Sequence, residues 1–168
     1  NYELLKENEK LLDNASAVLK KEFIGLDDII DSIIRNIKPW FLFPELQNRP
    51  HVVCAWGLTG TGKTSLIKRL CQLIDYEKNM VYFNFAEIGE CTSYEIEDKL
   101  EEEMSTETSR RIFIYDEFQY AATLNSAGEE KDNKSGLKPF WEMLDDGKLH
   151  KRTSFYTTFS IYRLVKYM

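Results

Sequence analysis

The stretch "WGLTGTGKTS", residues 56–65, decides how the rest of this 168-residue chain is interpreted. From Gly57 to Thr64 it fits the pattern G-x-x-x-x-G-K-[ST]. Glycines let the backbone of such a loop wrap around a phosphate, so that successive N–H groups point inward. A lysine in the place of Lys63 reaches the β- and γ-phosphates, and a hydroxyl in the place of Thr64 holds Mg²⁺. The predicted phosphate-binding residues are Gly57, Leu58, Thr59, Gly60, Thr61, Gly62, Lys63, Thr64 and Ser65.

The segments on either side of this loop argue against a chance glycine-rich turn. Residues 51–56, "HVVCAW", are a short β-rich run between Pro50 and Gly57, which predicts a buried strand. The apolar residues of 66–74 recur at helical spacing. A phosphate loop requires a strand before it and a helix after it, and the amino-terminal end of that helix favours anions. The sequence therefore predicts a nucleotide site.

Strands and helices alternate along the remainder of the chain. Further strands are predicted at 80–85, 112–115 and 153–159, and helices are predicted around Leu100 and Phe140. This spacing predicts an α/β fold of the P-loop NTPase type, in which helices cover both faces of a parallel sheet to form an αβα sandwich. We expect the third strand to lie beside the first, so that the residues ending both strands meet at the carboxyl edge of the sheet.

The amino-terminal part of the chain predicts two helices. Residues 1–22 carry leucines at seven-residue spacing and predict an amphipathic helix that docks on the body of the protein or on a partner. Residues 23–168 then form the core domain. Asp27 favours the start of a second amphipathic helix, Pro39 is expected to end it, and residues 39–50 are expected to be a connector.

Composition narrows the class of protein. The chain has 28 acidic and 22 basic residues and a net charge of −6, which is a poor match to the phosphates of nucleic acid. Its three cysteines lack metal-ligand spacing. No secretory signal opens the chain and no apolar run approaches ~18 residues, so we expect a soluble cytoplasmic protein that does not span a membrane. Because the chain begins at Asn1, we expect it to be a piece of a longer or processed protein.

Two carboxylates end the third predicted strand, in "IFIYDE", residues 112–117. In P-loop enzymes an aspartate in the position of Asp116 holds Mg²⁺, often through water. A glutamate directly after it can orient and deprotonate the attacking water, which is the role predicted for Glu117. Such a string alone is weak evidence for a metal site, since charged residues commonly end strands. Its distance from Lys63, with one strand and two helices between, makes the metal site a specific prediction.

The chain resembles the AAA+ ATPases, with "GLTGTGKT" as Walker A and "IFIYDE" as Walker B. The resemblance implies ATP and Mg²⁺ as ligands, ATP hydrolysis, and a homo-oligomer when the protein is full length. It also implies that turnover remodels a macromolecule, which the sequence does not identify. "FIGLDDIIDSI", residues 23–33, resembles the segment that contacts adenine, so Ile24, Gly25 and Leu26 would line the base. Packing in the helix core explains Ile24 and Leu26 equally well.

The family also has a polar sensor residue at the end of its fourth strand. The resemblance implies Thr158 for this role, with Thr157 and Ser160 as alternatives, although the usual asparagine is absent. The chain ends about where a fifth strand, an arginine finger and a helical lid are expected. Residues 86–95 lack the aromatic-apolar-Gly triplet of the members that thread proteins, which disfavours an unfoldase of that kind.

Three alternative functions remain open. "DEFQ", residues 116–119, is similar to a motif of superfamily 1 helicases, although those enzymes have much longer insertions between the Walker motifs. A signalling switch of the STAND type binds nucleotide tightly and changes its affinity for a partner, and the phosphate loop fits it equally well. A small-molecule kinase is disfavoured by Glu117 and by the absence of an arginine-rich lid.

Overall fold

The computed structural model describes residues 2–46, 50–55, 57, 60–88, 98, 100, 102, 111–117, 140, 144–145 and 159–162. Over these residues helices alternate with parallel strands, which confirms the predicted α/β fold. The elements are α1 (Tyr2–Glu22), α2 (Asp27–Leu42), β1 (Val52–Cys54), α3 (Lys63–Leu73), β2 (Met80–Asn84), α4 (Phe85–Ile88), β3 (Ile112–Asp116) and β4 (Phe159–Tyr162). Short 3-10 helices lie at Pro44–Leu46 and Glu77–Asn79.

The four strands have the order β1-β4-β3-β2, and every pair is parallel. The prediction that the third strand lies beside the first is therefore wrong, because β4 pairs with both of them. Ser160 of β4, for example, is opposite Val52 on one side and Phe113 on the other. All five residues of β3 are buried, so the backbone N–H and C=O groups along both edges of this strand need hydrogen-bond partners, which β2 and β4 provide. The carboxyl ends of β1 and β3 still share one edge of the sheet.

β4 also differs in position from the predicted fourth strand. The expected strand was 153–159, whereas β4 runs from Phe159 to Tyr162 and residues 151–158 lie outside the described part. The sequence "FSIY" combines aromatic and β-branched residues, which are common in strands. Leu100 and Phe140, on which the two predicted later helices centre, are helical and buried.

α2 begins at Asp27 as predicted, but the prediction that Pro39 ends it is wrong. The helix continues through Pro39 to Leu42. A proline inside a helix removes one backbone donor and crowds the preceding turn. Here the residues beyond it, Trp40 and Phe41, are only 5% and 6% exposed, and the N–H of Phe43 donates to the carbonyl of Pro39 at 2.9 Å. Burial of the last turn therefore outweighs the local preference of the proline.

α1 packs against α2 and α3 in one hydrophobic core. Its inward face consists of Leu12, Ala15 and Leu19, each at most 1% exposed. Exposed ion pairs border this face, such as Lys20 with Asp31 at 2.7 Å. Exposed pairs of this kind contribute about 0–1 kcal/mol, so the apolar contacts provide most of the docking energy.

The two faces of the sheet carry different side chains, and Asp116 lies on the face that is covered by α3. On β3, Ile112 and Ile114 join the core made with α1 to α3. Phe113 and Tyr115 point to the other face and stack there with Phe83 of β2, at centroid distances of 6.3 and 5.7 Å. Since side chains alternate along a strand, Asp116 lies on the same face as Ile114, toward α3.

Candidate functional site

The loop after β1 leads directly into α3. Gly60 and Gly62 have φ angles of 79° and 82°, in the left-handed region that favours glycine. Gly62 is also the residue that precedes α3, and its carbonyl accepts the N–H of Leu66 at 2.8 Å. The chain thereby turns sharply into the helix, so that the first turn of α3 lies at the carboxyl edge of the sheet. Leu58 and Thr59 lie outside the described residues.

Lys63, the first residue of α3, folds back across this loop. Its Nζ donates to the carbonyl oxygen of Gly57 at 2.8 Å and to Oγ1 of Thr61 at 3.1 Å. A Cβ on Gly57 would lie 3.6 Å from that Nζ, so the absence of a side chain leaves room beside the ammonium. The loop thus holds one positive charge at the amino-terminal end of a helix, an arrangement that favours phosphate.

The structure brings Thr64 and Asp116 together, the two residues predicted to hold the metal. Oγ1 of Thr64 donates to Oδ2 of Asp116 at 2.9 Å. The contact forms although β4 separates β1 from β3, because the first turn of α3 lies over the end of β3. Ser65, the last residue of the predicted phosphate site, is exposed in the same turn.

Asp116 is buried, with 4% of its surface exposed, and its carboxylate accepts hydrogen bonds from three donors. Besides Thr64, the hydroxyl of Tyr82 donates to Oδ2 at 2.6 Å and the N–H of Glu117 donates to Oδ1 at 2.8 Å. A buried carboxylate is costly unless such bonds replace its hydration. Tyr82 is not among the site residues predicted from the sequence. The alternation of side chains along a strand could have identified it, because Tyr82 lies on the opposite face of β2 from the buried Val81 and Phe83.

Glu117 has a backbone conformation that is unusual for its residue type. Its φ angle is 54°, which places a non-glycine residue in the left-handed region at a cost of roughly 1–2 kcal/mol. This conformation interrupts the strand alternation directly after β3 and turns the Glu117 N–H toward Asp116. Strain of this kind is commonly retained at functional sites.

We expect Glu117→Gly to be at least as stable as the unsubstituted protein. Glycine relieves the left-handed strain, and this gain offsets its larger conformational entropy in the unfolded chain. Glu7, exposed in the second turn of α1, is the matched control, because Glu7→Gly should cost about 1 kcal/mol. Urea unfolding of both variants measures the difference. An equal loss of stability in the two variants would contradict a strained backbone at Glu117.

The three residues expected at the base differ in their surroundings. Ile24 is 90% exposed, and a Cβ on Gly25 would meet nothing within 4 Å. Leu26 packs against the hydrophobic core and also lines a cavity of about 690 Å³ between α2 and β1. This cavity reaches Gly57 and Lys63, so it is continuous with the phosphate loop.

The cavity wall contains both polar and apolar groups. Asp28, Ser32 and Asn36 of α2 line it on one side, and Val53 and Cys54 of β1 line it on another. Partial burial raises the pKa of the Cys54 thiol. The prediction that a sensor threonine ends the fourth strand is wrong, because β4 begins at Phe159, and Thr157 and Thr158 come before it in the chain. These two threonines lie outside the described residues, and Ser160 is two residues before the end of β4.

The oxygen atoms of Thr64 and Asp116 fit a hard cation such as Mg²⁺, which binds few protein ligands and takes the remainder from phosphate and water. Where the chain is described, it contains no group of three or more His, Cys, Asp or Glu side chains that would hold a metal by itself. A divalent ion at Thr64 and Asp116 would therefore take the rest of its ligands from phosphate and water.

Comparison with known proteins agrees with this geometry. The family model of the ATPase family associated with various cellular activities, AAA, matches residues 53–165. This range is more than half of the chain and includes the phosphate loop, Asp116 and Glu117. A search of curated proteins finds no match. None of the helices in the described ranges is long and apolar enough to cross a membrane. Because the family model matches more than half of its length, the chain belongs to the AAA family and contains a P-loop ATPase domain of that family.

Proposed function

We propose that this chain binds ATP together with Mg²⁺ and hydrolyses it, and that the full-length protein uses this turnover to remodel a macromolecule. The observation that supports the proposal best is the 2.9 Å contact between Thr64 and Asp116. This contact joins the phosphate loop to the acidic strand end and leaves hydroxyl and carboxylate oxygens side by side, next to the loop that holds Lys63.

In this proposal the phosphates bind to the loop between Gly57 and Thr64. Its N–H groups and the amino-terminal end of α3 provide partial positive charge, and Lys63 provides a full charge. Lys63 would exchange its bonds to Gly57 and Thr61 for bonds to phosphate oxygens. Thr64 and Asp116 would hold Mg²⁺, which neutralises charge that develops on the phosphate oxygens during the reaction.

Glu117 is the proposed general base. The residue is half-buried directly after β3, and its backbone N–H donates to the carboxylate of Asp116. A carboxylate oxygen of Glu117 would take a proton from water, and the oxygen of that water would form a bond to the γ-phosphorus as the bond to the leaving ADP oxygen breaks. Such a positioned base contributes roughly 10²–10⁴ to the rate.

The base and ribose of the nucleotide are proposed to lie in the cavity between α2 and β1, next to Leu26. Ile24 and Gly25 precede it at the entrance to α2. The volume of about 690 Å³ is within the usual range for sites that bind small ligands.

Cys54 provides a chemical test of this placement. It is exposed and lines the cavity, whereas burial raises the pKa of Cys71 to about 12 and keeps that thiol unreactive. We expect saturating ATP to slow maleimide labelling of Cys54, because the nucleotide covers the thiol. The measurement uses a Cys91→Ser background at pH 8.5, where the thiolate population of Cys54 is larger than at neutral pH. Labelling that is insensitive to ATP would place the base elsewhere.

We also expect the full-length protein to form a homo-oligomer, since members of the family commonly assemble. In related phosphoryl transfer an arginine from a neighbouring molecule contributes ~10³–10⁵ to the rate. The 168-residue chain in dilute solution should then be a slow, mostly monomeric ATPase. Rapid turnover by the monomer would favour a self-contained kinase or helicase.

A further inference from the structure

We propose that Tyr82 is a positioning residue that fixes the carboxylate of Asp116 for the metal ion. This inference rests on the proposed function, and it extends that function to a residue that neither Walker motif contains. Tyr82 acts through Asp116 and has no proposed contact with nucleotide. Three features of the structure support it: the strand register, the hydrogen bonds of Asp116, and a lysine of α3 that lies against the tyrosine ring.

The register of β2 and β3 places Tyr82 within reach of Asp116. Tyr82 is opposite Ile114, so Asp116 is its diagonal neighbour on the same face of the sheet. Diagonal neighbours are roughly 7–8 Å apart at the backbone, a distance that an aromatic side chain spans. The direct partner of Asp116 is Asn84, but its amide bonds to Ala86 and Glu87 at the start of α4. The phenol of Tyr82 therefore makes the cross-strand contact.

This contact determines how the carboxylate is oriented. Tyr82 donates to Oδ2 at 2.6 Å, a short distance typical of a hydroxyl bound to a charged oxygen. The N–H of Glu117 holds the other oxygen, Oδ1. Thr64 also donates to Oδ2, and it is the group that would ligate the cation through its own oxygen. Tyr82 thus keeps Oδ2 in position independently of Thr64.

Lys68 strengthens this arrangement. It follows Thr64 by one turn of α3, and its Nζ lies 4.0 Å from the centroid of the Tyr82 ring. A cation at this distance is attracted to the face of the ring and withdraws electron density from it, which makes the phenol a better hydrogen-bond donor. α3 therefore contacts the carboxylate twice, directly through Thr64 and indirectly through Lys68 and Tyr82.

Tyr82→Phe tests the proposal, because it removes the hydroxyl and keeps the ring between β2 and α3. Partners of metal-binding residues typically contribute 10- to 100-fold to metal affinity. We expect the Mg²⁺ concentration that half-saturates binding of a fluorescent ATP analogue to rise by about that factor, while the affinity for the analogue in EDTA stays unchanged. Mn²⁺ binding in the presence of the analogue, followed by electron paramagnetic resonance, should weaken in parallel. Lys68→Met should shift both measurements in the same direction but less.

Tyr76→Phe is the matched control. Tyr76 follows α3 at the end remote from Thr64, and its ring packs against Trp40 and Phe41. This variant should show the Mg²⁺ dependence of the unsubstituted protein. If circular dichroism shows that Tyr82→Phe is folded and its Mg²⁺ dependence is unchanged, the inference about Tyr82 is overturned, but the proposed function is not. Equal weakening with and without Mg²⁺ would also overturn it, since that pattern indicates a general structural role. If the unsubstituted chain binds no nucleotide at all, the proposed function fails and the inference fails with it.

Discussion

Lys63→Ala is expected to lose most of its ATP affinity while the protein stays folded. Lys63 is half-buried at the start of α3 and lies outside the hydrophobic core, and its Nζ donates to Gly57 and Thr61 of the same loop, so its removal leaves that core intact. The ammonium is the charge that would face the phosphates. A hydrogen bond to a charged group contributes about 1.5–3 kcal/mol, which corresponds to an affinity loss of roughly 10- to 100-fold.

Calorimetry with a slowly hydrolysed ATP analogue measures this loss. Lys10→Ala is the control, because Lys10 is an exposed lysine on α1 and its removal changes the net charge by the same amount. Circular dichroism of both variants should match that of the unsubstituted protein. An unchanged affinity in folded Lys63→Ala protein would refute the assignment of the phosphate loop.

The second large effect is expected at Asp116 and Glu117, where substitution of each carboxylate should impair a different step. Glu117→Gln keeps the size and hydrogen-bonding capacity of the side chain but removes the proposed base. Hydrolysis should fall ~10²–10⁴-fold while ATP affinity stays nearly unchanged, the pattern of an interaction made mainly in the transition state. Asp116→Asn should instead weaken Mg²⁺-dependent ATP binding, because the substitution removes the negative charge of the carboxylate that is proposed to hold the metal with Thr64.

Single-turnover hydrolysis and equilibrium binding should be measured on the same preparations. The full-length protein is preferable, since we expect its turnover to be faster. Glu45→Gln, at an exposed position in the 3-10 helix after α2, controls for the loss of one acidic charge. If Glu117→Gln hydrolyses ATP at the rate of the unsubstituted protein, Glu117 is not the general base and is only a carboxylate at the end of a strand. The signalling switch would then be the better description of the protein.

Local patterns in the sequence are sufficient to predict the P-loop, the two carboxylates that follow the third predicted strand, and most of the helices. Phosphate binding by a loop depends on adjacent residues, so Gly57, Lys63 and Thr64 are recognisable from their spacing alone. α1 and α2 were predicted because their apolar residues recur with the period of a helix. The β-rich runs of β1, β2 and β3 were recognised for a similar reason.

The tertiary structure decided what depends on contacts between distant segments. The continuation of α2 past Pro39 depends on burial of Trp40 and Phe41, which outweighs the local effect of the proline. The place of β4 between β1 and β3 depends on pairing between strands that lie far apart in the chain, which no short stretch of sequence shows.

Tyr82 is the clearest case of this division at the site itself. By sequence it is one aromatic residue in a β-rich run. Only the register of β2 against β3 makes it a diagonal neighbour of Asp116, and only the docking of α3 brings Lys68 to its ring. The sequence by itself determined which residues are proposed to bind phosphate, since those residues are adjacent in the chain. The tertiary structure decided which side chains hold them in place, because such supports come from other strands and helices.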